Sequence, residues 1–149
     1  MQGSGIFQMK TVFHSYSSKQ TEEFGAQLGK SLKAGDVVAL FGDLGAGKTA
    51  FTRGLAHGMG FDGEVSSPTF ALVHEYPADI PIYHFDMYRI TDDDSLYAVG
   101  FYDYFDRGGI IAAEWCENIP FALPERRYEI SFKKLDETRR AITITRVNF

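Results

Sequence analysis

The stretch LFGDLGAGKTAF, Leu40 to Phe51, decides how the rest of the chain is read. It carries G-x-x-x-x-G-K-(S/T) at Gly42, Gly47, Lys48 and Thr49, the pattern of a phosphate-binding loop. Each position has a physical reason. Glycine accepts backbone angles that other residues resist, so successive N–H groups can curl around a phosphate. A helix that starts at the loop points its positive end at the same anion. Lys48 brings a mobile charge to the β and γ phosphates, and Thr49 a hydroxyl for Mg2+. The flanks agree with this reading. DVVALFG ahead of the loop is a short apolar run typical of a buried strand, and a helix pattern follows from Lys48 to about Met59. The expected nucleotide contacts are therefore Asp43, Leu44, Gly45, Ala46, Gly47, Lys48, Thr49 and Ala50.

The strands and helices around this loop alternate. KTVFHSY reads as a first strand. Ser17 and Gln20 form a capping box, S-x-x-Q, and Phe24, Leu28 and Leu32 recur at helical spacing, with Gly35 as the stop. FALVHEY and IYHFDMY read as two strands of a hairpin joined by PADIP. Thr91 and Asp94 form a second capping pair and predict a helix start. GIIAAEW is again a buried-strand pattern, and YEISFKKL with AITITRV flanks the turn DETR as a terminal antiparallel hairpin. The pattern predicts an α/β domain with a mixed sheet.

Composition narrows the class. The chain has 149 residues, 44% hydrophobic and 23% charged, which suits one packed domain over 9–149. The opening MQGSGIFQ has no pattern and is expected to be disordered or vector-derived. No apolar run is long enough to cross a bilayer, and the single Cys116 allows no intrachain disulfide; a cytoplasmic location fits both. The net charge of −5 argues against an unaided grip on nucleic acid. The basic pairs Arg126-Arg127, Lys133-Lys134 and Arg139-Arg140 read as solvated strand and turn positions.

A phosphate loop needs a carboxylate for Mg2+ at the end of a neighbouring strand. Two acids qualify, Asp86 after IYHF and Glu114 after IIAA. Asp106-Arg107-Gly108-Gly109 matches the D-x-x-G of GTPases, but it follows FYDYF rather than a buried strand, and no N-K-x-D guanine-reading segment exists. It reads as a turn, and adenine is favoured over guanine. VSSPTF offers hydroxyls at Ser66, Ser67 and Thr69 for a nucleotide switch, with an ordinary Ser-Pro turn as the competing account. His84 reads as a packed or hydrogen-bonded strand histidine rather than a metal ligand. Arg89 could reach a phosphate or pair with Asp86. Trp115 could cover the site, meet a partner or simply pack. FYDYF is half core and half candidate interface.

Taken in order and at these separations, GDLGAGKT, SSPTF, YHFDMYR and AEW closely resemble the TsaE (YjeE) family, small ATPases of bacterial tRNA threonylcarbamoyladenosine synthesis. The likeness runs from about Ser17 to Ile130 and includes SKQTEEFGAQLG and VGFYDYF. It implies a P-loop NTPase-like three-layer domain whose parallel core is extended by antiparallel strands. It implies a Mg2+-dependent ATPase with slow intrinsic turnover. It also implies the TsaB–TsaD pair as partners, with tRNA met only through that complex and no membrane or DNA role. Carried over, Lys48 and Thr49 match the phosphate-loop residues, Glu114 the Mg2+-associated acid and Asp86 the acid of an HxDxYR-like motif needed for activity. Thr69 lies in the switch-like SPT segment, Trp115 follows the acid, and Thr21 aligns with a threonine near the nucleotide. A small-molecule kinase and a nucleotide-sensing module are the competing classes, and the chain has no Arg-rich loop of the kind that lids such kinases.

Overall fold

Val37, Val38, Ala39 and Leu40 are all buried, as a strand covered on both faces must be. The elements in chain order are β1 (Lys10–Ser15), α1 (Ser18–Gly29), β2 (Val37–Phe41), α2 (Lys48–Gly58), β3 (Val73–Tyr76), β4 (Ile82–Asp86), α3 (Asp93–Ala98), β5 (Ile110–Glu114), β6 (Arg127–Lys134) and β7 (Arg140–Val147). The computed structural model describes residues 10–43, 45–66 and 72–149. The expectations for residues 1–8, Leu44, Ser67 and Thr69 lie outside the described residues.

Among the described residues, seven strands form one sheet in the order β1-β7-β6-β2-β5-β4-β3. The central four, β6, β2, β5 and β4, are parallel. Antiparallel β3 extends one side, and β7 and β1 extend the other. This is the P-loop NTPase-like arrangement expected from the sequence, a parallel core with antiparallel additions on both sides. The first strand of the terminal hairpin joins the parallel core beside β2, and the N-terminal β1 closes on the C-terminal β7.

The period of two along the strands sorts residues into two cores. Val38, Leu40, Ile110, Ala112, Ile130 and Ile142 face α1 and α2. Val37, Ala39, Phe85, Ile111 and Ala113 face the side of α3 and of the 3-10 segment Phe101–Asp106. His84 sits between Tyr83 and Phe85 and so falls on the α1/α2 face, the face that also carries the phosphate loop.

Helices α1 and α2 approach unusually closely. A β-carbon at Gly54 would lie 1.9 Å from Glu22 O, and one at Gly25 would lie 2.2 Å from Phe51 O. Only glycine fits such a crossing, despite its low helix propensity. Ser17 caps α1, accepting from Gln20 N at 3.1 Å, while Gln20 Oε1 accepts from Tyr16 N at 2.8 Å. The reciprocal half of the capping box thus closes on the residue before the cap. The helix ends at Gly29, earlier than the Gly35 stop expected from Leu32. Leu32 is buried from a turn instead, because Gly29 lies against Leu55 O and the chain then bends back to the sheet. The cap of α3 is Asp92, accepting from Ser95 N at 2.7 Å, one residue later than the Thr91 start expected. Of the DRGG stretch, Asp106 ends the 3-10 segment and Arg107, Gly108 and Gly109 bend into β5, a connection of the kind read from the sequence.

Candidate functional site

The phosphate loop follows β2 and opens α2. Gly42, Gly45 and Gly47 all have positive φ, at 138°, 78° and 108°, a region that costs glycine little and other residues much. Gly47 occupies the cap position of α2 without a side-chain cap, and the first turn holds no acid. The positive end of the helix is therefore left for an anion from elsewhere. Lys48 is 5% exposed. Its Nζ donates to Gly42 O and, at 3.3 Å, to Asp43 O. Burial pulls the Lys48 ammonium below the ordinary lysine value, and the carboxylates of Glu114, Glu117, Asp43 and Asp86 pull it back up. A charge held at this cost near four acids is a common mark of a functional site.

Asp86 and Glu114 end adjacent parallel strands and are register partners. The carboxyl ends of β2, β5 and β4 therefore bring Lys48, Glu114 and Asp86 to one edge, the usual place for a ligand in an α/β sheet. Glu114 is 3% exposed. Burial raises the Asp86 carboxyl above the usual carboxylate range and Glu114 adds to the rise, while the Tyr88 amide, His84 and Lys48 oppose it. Asp86 Oδ1 accepts from Tyr88 N at 2.9 Å. Thr49, in the first turn of α2, is half-buried. Thr49, Asp86 and Glu114 are hard oxygen donors of the kind Mg2+ takes. Among the described residues no three His, Cys, Asp or Glu side chains enclose an ion by themselves.

Trp115 follows Glu114 and is half-buried. Its ring centroid lies 3.8 Å from Lys48 Nζ, a cation–π contact, and 4.9 Å from the Tyr88 ring. Its φ of 62° is a left-handed angle that strains a bulky residue, and such strain collects at functional sites. Trp115 thus packs its ring on the loop lysine. Glu117, two residues on, accepts from Gly42 N through Oε2 at 3.0 Å.

A cleft of about 400 Å3 opens beside the loop, lined by Tyr16, Thr21, Gly45, Gly47, Ala50 and Arg140 among others. Thr21 is buried, its hydroxyl 2.7 Å from Ser15 Oγ, and a β-carbon at Gly47 would sit 3.6 Å from its methyl carbon. Arg140 donates to Gly45 O at 3.1 Å. The basic pair Arg139-Arg140 thus divides: Arg139 pairs with Asp136 in the turn, and Arg140 reaches the phosphate loop. Nothing local in the sequence separates the two.

A buried chain of polar groups ends on Glu114. His84 Nε2 lies 2.5 Å from Glu114 Oε2. His84 Nδ1 lies 2.9 Å from the Tyr76 hydroxyl, which donates to Ser66 O at 3.0 Å. His84 is 0% and Tyr76 4% exposed. Burial pushes the Tyr76 phenol up to about 12, with Glu114 adding to the rise and the Ser66 carbonyl opposing it. The expectation of a hydrogen-bonded strand histidine holds; its partners were not legible. Arg89 is exposed in the turn after β4 and forms no ion pair with Asp86 among the described residues. Phe101 is core, and the other aromatics of FYDYF are half-buried beside it.

A glycine loop between a buried parallel strand and a helix, with acids at the adjoining strand ends, defines a P-loop NTPase-like domain. The family model described as "Threonylcarbamoyl adenosine biosynthesis protein TsaE" matches residues 15–142. The chain belongs to the TsaE family. It is 43% identical to the tRNA threonylcarbamoyladenosine biosynthesis protein TsaE of Bacillus subtilis over 77% of this chain and 72% of that one. It is 37% identical to the protein of the same name from Treponema pallidum over 87% of this chain and 96% of that one. The crystal structure of B. subtilis YdiB superposes with a TM-score of 0.77 at 32% identity, covering 97% of this chain and 90% of that one. No helix among the described residues is long and apolar enough to cross a membrane.

Proposed function

We propose that this protein binds ATP with Mg2+ at the loop 42–49 and hydrolyses it in support of threonylcarbamoyladenosine formation on tRNA. The observation that carries the reading is the convergence of a buried Lys48 with Glu114 and Asp86 at three neighbouring strand ends. In this reading the loop backbone and the α2 N-terminus bind the β phosphate. Lys48 releases its carbonyl partners and meets the β and γ oxygens as a point charge. Thr49 and Glu114 hold Mg2+, directly or through water, and the bound cation supplies neutralisation of charge building on the phosphates. Asp86, raised by burial, stands ready to take the proton of the attacking water. The cleft at Thr21 and Arg140 takes the nucleoside.

The TsaB–TsaD pair is the proposed partner, with tRNA engaged through that complex. The acidic net charge supports a role on proteins rather than on RNA, and the family membership supports the pathway. A pull-down on purified TsaB–TsaD with and without ATP tests this; we expect association that depends on nucleotide, and association indifferent to it would overturn the proposed coupling. Glu114→Gln is expected to lower Mg2+-dependent hydrolysis about 100-fold with a much smaller loss of nucleotide binding in EDTA. Unchanged turnover would move the cation to Asp86. Transfer of phosphate to a small acceptor in stoichiometric yield would replace the ATPase reading with a kinase.

A further inference from the structure

We propose that His84 and Tyr76 are positioning residues for Glu114, fixing the rotation of its carboxylate so that one oxygen is held for the cation of a bound nucleotide. The inference rests on the reading of Glu114 as the acid on the Mg2+ side of the site. Three observations carry it. First, the four groups form one continuous line across three strands, from β5 through β4 to β3 and then to the loop ahead of it. Second, the line is out of water from His84 to Glu114, so its hydrogen bonds compete with no solvent. Third, its far end is the main-chain carbonyl of Ser66 rather than a side chain that could turn away.

The division of labour follows from the contact atoms. The imidazole Nε2 engages Glu114 Oε2, which leaves Oε1 as the oxygen outside that bond. A glutamate at a strand end has three rotatable bonds, and without the imidazole its carboxylate could sweep a cone. Tyr76 in turn sets the imidazole plane through Nδ1, and its own ring is seated against Phe61 at 5.0 Å between centroids. Outer partners of this kind are known to matter to metal ligands at the level of about 10- to 100-fold in affinity or activity.

Tyr76→Phe is the decisive variant, because it keeps the ring packing and deletes only the hydroxyl. The measurement is calorimetric titration of an ATP analogue that resists hydrolysis, across Mg2+ concentrations and in EDTA. We expect the half-saturating Mg2+ concentration to rise about 10-fold in Tyr76→Phe, with affinity in EDTA unchanged. His84→Leu should raise it further, and His84→Gln, whose amide can still donate toward Glu114, should restore part of the loss. Should His84→Leu fail to fold, Tyr76→Phe decides alone. An unchanged Mg2+ requirement in Tyr76→Phe overturns the inference, as does an equal loss of affinity in EDTA, which would mean a distorted pocket. If Mg2+ leaves the affinity of the unaltered protein untouched, the reading of Glu114 as the metal-side acid fails and the inference fails with it.

Discussion

Helix α2 makes two contacts of opposite character. Along its side it meets α1 with backbone against backbone, where a β-carbon at Gly54 or Gly58 would fall 1.9 Å or 2.3 Å from a carbonyl oxygen. At its N-terminus it carries the buried Lys48 among Glu114, Glu117, Asp43 and Asp86. The first contact leaves no room for a β-carbon at the crossing, with one ion pair, Arg53 to Glu22, beside it. The second sets two charges, Lys48 and Glu114, where burial strips hydration from both. The difference teaches what the close crossing is for: a helix seated that firmly can hold its first residues in a place that they would otherwise leave.

Gly54→Ala should break the comparison most directly. Ordinary helix propensity favours alanine by about 1 kcal/mol, yet the new methyl meets backbone rather than a movable side chain. We expect a net loss of about 3 kcal/mol or more, read from urea unfolding, together with weaker nucleotide binding because the loop loses its seat. A neutral result would mean that the helices can slide apart freely.

Lys48→Met tests the other contact. At nucleotide concentrations one hundred times the unaltered Kd, binding should stabilise the unaltered protein by about 2.7 kcal/mol. That increment should disappear in Lys48→Met, while the nucleotide-free protein shifts far less than in Gly54→Ala. A large loss of nucleotide-free stability would show that Lys48 is a structural counter-charge first.

A smaller effect lies at the start of α1, which supplies Thr21 to the cleft. Ser17→Ala removes the acceptor for Gln20 N and should cost about 1 kcal/mol of stability while changing nucleotide affinity by less than about five-fold, the factor to which that free energy corresponds. The last prediction is a pH effect, confined to the alkaline range. Tyr76 keeps its proton in the folded state up to about 12, against 10.0 when unfolded. The folded state therefore binds more protons between those values, and its stability falls as pH rises through the window. Tyr76→Phe should flatten that part of the alkaline decline; an identical slope in both proteins would remove Tyr76 from it.

Much of this architecture was legible from local pattern. The strand before the loop, the helix after it, the hairpins β3–β4 and β6–β7 and the acids Asp86 and Glu114 at strand ends all follow from runs of apolar residues and a few polar ones beside them. The misplaced stop of α1 shows where local pattern fails. Leu32 continues the helical spacing of Phe24 and Leu28, but the helix stops at Gly29, since the packing of Gly29 on Leu55 decides the path. The capping pair at Thr91 failed for a similar reason in miniature: Asp92 competes for the same role and makes the bond to Ser95.

By itself, the sequence determined the phosphate loop, its flanking elements, the candidate acids and the resemblance that led to the TsaE family. These are short-range matters, set by residue type and spacing. Tertiary structure alone decided that β1 pairs with β7, that Glu117 caps Gly42 N, that Arg140 and not Arg139 reaches Gly45, and that His84 and Tyr76 stand behind Glu114. The last three join residues 75, 95 and 30 positions apart. Between such distant residues no periodicity or capping rule operates, and only the twist and order of the sheet bring them within a hydrogen bond of one another.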